Sequence, residues 1–228
     1  GSGAVVGTIS VAKLTGETKA AVDSSTISSA ETTIHADHLG KIYMGGVNGS
    51  GAAIGAAIGL NFSMVNDSTT TEATLSNSDD TTTGDVKITA SDESVLDTVA
   101  TTFAFAVEGA SIGGSTVINN LTNKVLTTVE DSNVSGNHVK VLAMNDVQAD
   151  SIEGMGVVAV AGGGFGISVG VNTFDSTVKA IVQNTVNDGT HKIKATGRDT
   201  TYRNDELNSA LEVTAEEDKK ITQKVINV

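Results

Sequence analysis

One short pattern returns four times along the chain and restricts what it can fold into more than any single residue does. Its first mark is an apolar residue, one intervening residue and an alanine, at Ile34-His35-Ala36, Ile88-Thr89-Ala90, Val141-Leu142-Ala143 and Ile193-Lys194-Ala195. The steps between copies are 54, 53 and 52 residues. A second apolar mark lies 22 or 23 residues earlier, at Val11, Val65, Ile118 and Val171, and in the last three copies an asparagine follows it (Asn66, Asn119 and Asn172). Two marks that keep their spacing over three periods imply a stacked repeat architecture.

The side chains between the marks say what kind of stack. Alternating runs such as Val157-Val158-Ala159-Val160 and Ile167-Ser168-Val169-Gly170-Val171 suit buried strands, as do the Thr/Ser-rich stretches Lys124–Val129 and Val178–Val182. Turn-forming clusters stand between them, at Ser76 to Asp80, Asp131 to Asn137 and Asn187-Asp188-Gly189. Only 3% of residues are aromatic and Trp is absent, so the interior has to be built from Val, Ile, Ala and Gly. The chain has no Pro, which fits a backbone whose N–H groups are needed in sheet ladders. It has no Cys, so no disulfide or thiolate metal site contributes.

The predicted fold is therefore all-β, a parallel β-helix or β-solenoid. Residues 1–200 form the array, in repeats of about 3–48, 49–102, 103–155 and 156–200, and residues 201–228 form a charged cap or a transition segment, either a short helix or a closing strand pair. The two marks divide each period into about 23 and 30 residues, lengths that suit two coils per repeat. Four repeats then predict about eight coils and, at roughly 4.8 Å per coil, a rod about 40 Å long. Asn66, Asn119 and Asn172 are expected to stack as an asparagine ladder in a corner of the coils, or else to mark turn preference alone.

A formal net charge of −13 repels phosphate backbones and anionic lipid heads, so nucleic acid is not an expected partner. The 18 residues from Gly154 to Val171 carry no charge, but seven are Gly and acidic residues flank them, so they read as buried wall and not as a stable membrane span. No secretory signal opens the chain, and it reads as a piece of something longer.

Candidate chemistry dissolves on inspection. Gly109-Ala110-Ser111-Ile112-Gly113 matches a hydrolase nucleophile elbow, yet a β-type run follows where that motif requires a helix. Gly154-Met155-Gly156-Val157-Val158-Ala159 matches a dinucleotide fingerprint, yet Gly162-Gly163-Gly164 would break the helix that must hold the pyrophosphate. His35, Asp37 and His38 gather nitrogen and oxygen ligands, but a strand points His38 away from the other two, and His138 and His191 sit at different offsets from their own marks. Asp79-Asp80 and Asp92-Glu93 are adjacent carboxylates in turn-like segments without aromatic platforms for sugars. The sequence accordingly predicts no catalytic, metal or cofactor site and no enzymatic activity.

With the Gly/Ala/Val runs, the SVGVN of Ser168 to Asn172, the VND of Val65 to Asp67 and the apolar-x-Ala close, residues 3 to about 197 resemble filamentous-haemagglutinin-like adhesins and leukotoxin-like exoproteins of Gram-negative bacteria, exported by two-partner or autotransporter routes. The resemblance implies a β-helical shaft, secreted or on the cell surface, that displays adhesive or toxic regions. It implies a host or bacterial surface receptor as partner, and the exposed ends of a solenoid add self-association. A carbohydrate-active β-helix and a membrane-active toxin segment are the alternative readings.

Overall fold

The computed structural model describes residues 3–184, 191–196 and 211–227. Among these residues every regular element is a strand, and the chain traces the same circuit four times. Each of the first three circuits has a long strand, a corner, a four-residue strand, a second corner, another long strand and a tip, and the fourth contributes a long, a three-residue and a long strand. The first is β1 (Ala4–Asp23), β2 (Thr26–Ser29) and β3 (Thr32–Ile54); the second is β4 (Ala57–Ser76), β5 (Asp79–Thr82) and β6 (Val86–Glu108). The third is β7 (Ser111–Glu130), β8 (Asn133–Gly136) and β9 (Val139–Ala161), and the fourth is β10 (Gly164–Gln183), β11 (Ile193–Ala195) and β12 (Leu211–Asn227). Like strands stack in parallel into three four-stranded sheets, β1-β4-β7-β10, β2-β5-β8-β11 and β3-β6-β9-β12. This is the expected parallel β-solenoid.

The number of coils is four, not eight. Ala4 pairs with Ala57, Ala57 with Ser111 and Ser111 with Gly164, so each rung sits on the residue one whole repeat away. The expected corner in the middle of each repeat does not exist. Ser91-Asp92-Glu93 and Asn145-Asp146 run straight through β6 and β9, because Asp92 and Asn145 turn inward while Glu93 and Asp146 turn outward. At about 3.3 Å per residue the 23-residue strands are roughly 75 Å long, whereas four rungs at roughly 4.8 Å stand only about 20 Å high. The molecule is a slab, wider than it is tall, with its two broad sheets face to face.

The fourth circuit corrects two further expectations. Ile193-Lys194-Ala195 pairs with Val134-Ser135-Gly136 in the narrow sheet, and the apolar-x-Ala position opposite Val141 and Ala143 is taken by Val213-Thr214-Ala215. Leu211–Asn227 is neither a helix nor a strand pair but the fourth long strand of its sheet. Residues 201–210, the first part of the expected cap, and the turn at Asn187-Asp188-Gly189 lie outside the described residues.

Near the narrow sheet the two broad sheets enclose an apolar core: Leu75, Ile88, Val86, Val125, Val139 and Val141 have no exposed surface. Burying each such side chain contributes about 1.5–3 kcal/mol. The outer faces there carry Lys, Glu and Thr, including Glu72 between Lys19 at 3.5 Å and Lys124 at 3.3 Å on neighbouring rungs.

Towards the tip the same strands invert this pattern. In β4, Ala57, Gly59, Asn61 and Ser63 face inward and Ile58, Leu60, Phe62 and Met64 face outward. Both corners and tips align from rung to rung. Ser24, Asn77 and Asp131 take positive φ at one corner, where the Ser25 N–H donates to the Ser78 hydroxyl and the Ser78 N–H to the Ser132 hydroxyl, each at 3.1 Å. Gly55, Gly109 and Gly162 take positive φ at the tip, and a Cβ on Gly109 would stand 1.9 Å from the Gly55 carbonyl oxygen.

This close approach makes Gly109→Ala a severe change, expected to lower unfolding stability by about 2 kcal/mol or more. Gly45→Ala, whose Cβ meets nothing within 4 Å, should stay within about 0.5 kcal/mol of wild type. Urea unfolding of the two variants checks the difference.

Candidate functional site

Between the apolar core and a smaller apolar cluster of Val65, Leu96, Leu121, Val147 and Ala149, a seam of polar side chains crosses the interior and passes through all four rungs. Strand alternation brings one column of the β3 sheet inward as His38, Asp92, Asn145 and Glu217, since Asp92 pairs with His38 and Asn145, and Glu217 with Asn145. The facing sheet supplies Leu14, Asp67, Leu121 and Phe174 in one column and Gly16, Thr69, Asn123 and Ser176 in the next.

Asp92 is 1% exposed and is the best-bonded member. The Thr69 and Ser94 hydroxyls donate to its two carboxyl oxygens, each at 2.8 Å, and the Asn123 amide donates at 3.3 Å. Further along, the Asn145 amide donates to Glu217 at 3.5 Å, the Ser176 hydroxyl donates to the same carboxylate, and Lys219 approaches it at 2.8 Å.

Asp67 is 2% exposed and lies in the same seam. Burial pushes its pKa up to about 6, the neighbouring Asp92 charge adds to the rise, and His38 and Ser94 act against it. Glu153, nearer the tip, has no exposed surface and is likewise raised, chiefly by burial. Raised pKa values of this kind, at Asp67 and Glu153, are the one property these carboxyls share with acid/base machinery. Both Asp67 and Asp92 face the interior between two sheets, where a substrate would have to displace the wall to reach them.

The residues singled out from sequence fall elsewhere. Asn119 and Asn172 do pair, the Asn119 amide donating to the Asn172 carbonyl oxygen at 2.8 Å, and the Thr98 hydroxyl completes the inner contact. Asn66 is not in that column: the register sets it beside Asn120, whose amide donates to it at 3.0 Å on the outer face. The single expected ladder is thus two separate pairs, because the step from β4 to β7 is 54 residues while that from β7 to β10 is 53. Asn120 and Thr98 were not visible as partners in the sequence, since only the register reveals them. The second apolar mark slips in the same way, Val11 lying opposite Met64 and Val65 opposite Ala12.

Ser111 begins strand β7 with a buried hydroxyl that has no hydrogen-bond partner, so no base touches it. Gly154 to Ala159 belong to strand β9, and no helix follows them. His35 and Asp37 face outward while His38 faces the seam, and His138 bonds Asp85 at 2.9 Å on another corner, holding the Asp85 carboxyl below its usual range. Among the described residues no three His, Cys, Asp or Glu side chains are placed to hold a metal ion. Asp79 and Asp80 point to opposite sides of β5, Asp80 inward to the Thr32 and Thr82 hydroxyls.

The seam has a measurable cost. An ordinary Asp ionises near 3.8, so below that pH Asp67 is protonated in both folded and unfolded chains and burial costs nothing. As pH rises towards about 6 the unfolded chain releases the proton first, and stability falls; above about 6 the loss is complete, on the order of 3 kcal/mol at most. Asp67→Asn should therefore raise the urea midpoint at pH 7.5 and leave it nearly unchanged at pH 3.5. Compared with protein-family models, with curated proteins and with solved structures, the chain matches none.

Proposed function

We propose that this chain is a non-enzymatic structural segment of a solenoid shaft, secreted by or attached to the surface of a Gram-negative bacterium, that holds adhesive or toxic regions away from their anchorage. The observation that carries this reading is the ladder itself: three sheets repeat in register at one interval, and every rung presents the same backbone edge to the next. A coil of this kind extends by adding rungs, and its stability grows with nearest-neighbour stacking. Asp67, Asp92 and Glu153 are turned into the interior between the sheets, away from any substrate in solution, which suits a scaffold better than a catalyst. A surface receptor, contacted by regions that the shaft displays, is the partner in keeping with this role.

The outermost rungs offer long strand edges, β1 and β3 at one end and β10 and β12 at the other. Unpaired edges of this length template pairing with another chain. In a parallel ladder N–H groups alternate between the two sides of a strand. Ala4 donates to Ala56, so the odd-numbered residues of β1 point their N–H groups away from β4.

End-to-end association is therefore expected as concentration rises, and sedimentation velocity should detect it as a growing series of species. Thr15→Pro removes one outward N–H donor without touching the ladder to β4, and should suppress that series. A chain that stays a single species at every concentration would sink the stacking reading.

A further inference from the structure

The half of the slab nearest the tips is built inside out. Leu60 and Phe103 stand on central strands, each flanked by rungs on both sides, yet are 52% and 51% exposed. Their exposure is thus a property of the face and not of an open end. Ile9, Leu60 and Phe165 represent one broad outer face, and Val47, Phe103 and Val160 the other. The interior at the same level holds small side chains, polar at Asn61, Ser63, Ser115 and Asn119 and apolar at Ala57, Ala104, Ala106 and Val117. In the other half of the same strands the order is reversed, with Leu75 and Ile88 inside.

We propose that this half, comprising the outer faces of residues 5–11, 58–64, 112–118 and 165–171 on one sheet and 47–53, 101–107 and 154–160 on the other, is a contact surface for the hydrocarbon of a lipid bilayer. Four features select lipid over protein. Strands that face hydrocarbon put their large apolar side chains outward, and this half does so over an interior of small apolar and polar residues, whereas the other half does not. Both outer faces are apolar, so a second copy seated on one would leave the other bare, while a bilayer surrounds both. No Asp, Glu, Lys or Arg points outward within these stretches. Seven residues at about 3.3 Å span roughly 23 Å, close to the apolar band of about 25 Å on membrane-facing sheets.

Charge returns at the border, where Lys13, Lys41 and the exposed ring of Tyr43 begin the polar half. The net charge of −13 directs the surface to zwitterionic rather than anionic lipid. Hydrocarbon does not tolerate unpaired strand edges, so the first and last rungs need a further rung on them while the half is inserted. In that one respect lipid contact rests on the stacking proposed above.

Flotation of the whole chain with phosphatidylcholine vesicles tests this surface. Wild type should float with the vesicles, bind less to vesicles rich in phosphatidylserine, and stay bound in 1 M salt. The double variant Leu60→Glu, Phe103→Glu places one charge on each apolar face, at exposed positions that the core does not use, and should cut the bound fraction at least tenfold. Thr70→Glu with Thr89→Glu, outward positions of the same two strands in the polar half, should not reduce it. Circular dichroism of all three establishes that the strands persist. Absence of flotation by wild type, or equal loss in the two double variants, overturns the proposal. So does a lipid-free dimer that the Leu60→Glu, Phe103→Glu pair dissolves without any vesicle binding, which would assign the faces to a second copy. Concentration-dependent stacking without flotation overturns the lipid surface and leaves the shaft standing.

Discussion

Backbone pairing at an interval of one repeat is the constraint from which the other features follow. Ala57 bonds between Ala4 and Ser111, and Val86 between Thr32 and Val139, so the position of every side chain in a rung is set by the rung beneath it. Columns form as a result, and a column amplifies whatever it contains. Glycines with positive φ stack at the tip, where a side chain would collide with the next carbonyl. Serines stack at the corner, where the Ser78 and Ser132 hydroxyls each receive the N–H of the serine on the preceding rung. A polar residue placed inward on one rung meets others above and below, which is how Asp92 comes to share a seam with His38, Asn145 and Glu217.

The long strands also let one element serve two environments. Over 20 residues β4 passes from Ala57, with apolar residues outside, across Asp67, to Leu75, with apolar residues inside. The polar seam sits at this changeover. On one side lies the larger apolar core and on the other a smaller cluster of Val65, Leu96, Leu121, Val147 and Ala149, beyond which the interior narrows to Ala, Gly, Ser, Thr and Asn and supplies less of the hydrophobic energy. There the structure relies on the backbone ladder and on bonds such as the Thr102 hydroxyl to the Gly114 carbonyl at 2.9 Å and Ser115 to Ser168 at 3.0 Å. The apolar surface that the interior does not use is left facing out, and a hydrophobic solvent is the surrounding that would recover it.

Much of the architecture is legible in the sequence. The two recurring marks point to stacking, the alternating runs to strands, and the lack of Pro to continuous ladders. The count of coils could not be read, because in the first three copies both marks lie within long strands rather than at corners: Val65 and Ile88 are core positions, and the chain turns at Asn77-Ser78 and Thr83-Gly84 between them and again at the tip glycine, Gly109. Ser91-Asp92-Glu93 has the composition of a turn in water, but inside the slab the Thr69 and Ser94 hydroxyls replace that water and the strand continues. The asparagine column failed for a smaller reason. One extra residue between β4 and β7 reverses the parity, and a shift of one residue in a strand moves a side chain to the other face.

By itself the sequence determined the period, the strand character of each segment and the small, β-branched stock from which the walls are made, since these depend on local spacing and on each residue's own preferences. Only the tertiary structure decided which side of each strand is the inside. In Gly154 to Val171 apolar residues occupy both parities, so alternation alone is silent on direction; the pairing of β9 with β6 and of β10 with β7 resolves it, turning Val158 and Val160 outward. That choice is non-local because it depends on which sheet closes over which face. It converts a run that reads as buried wall into an exposed apolar surface.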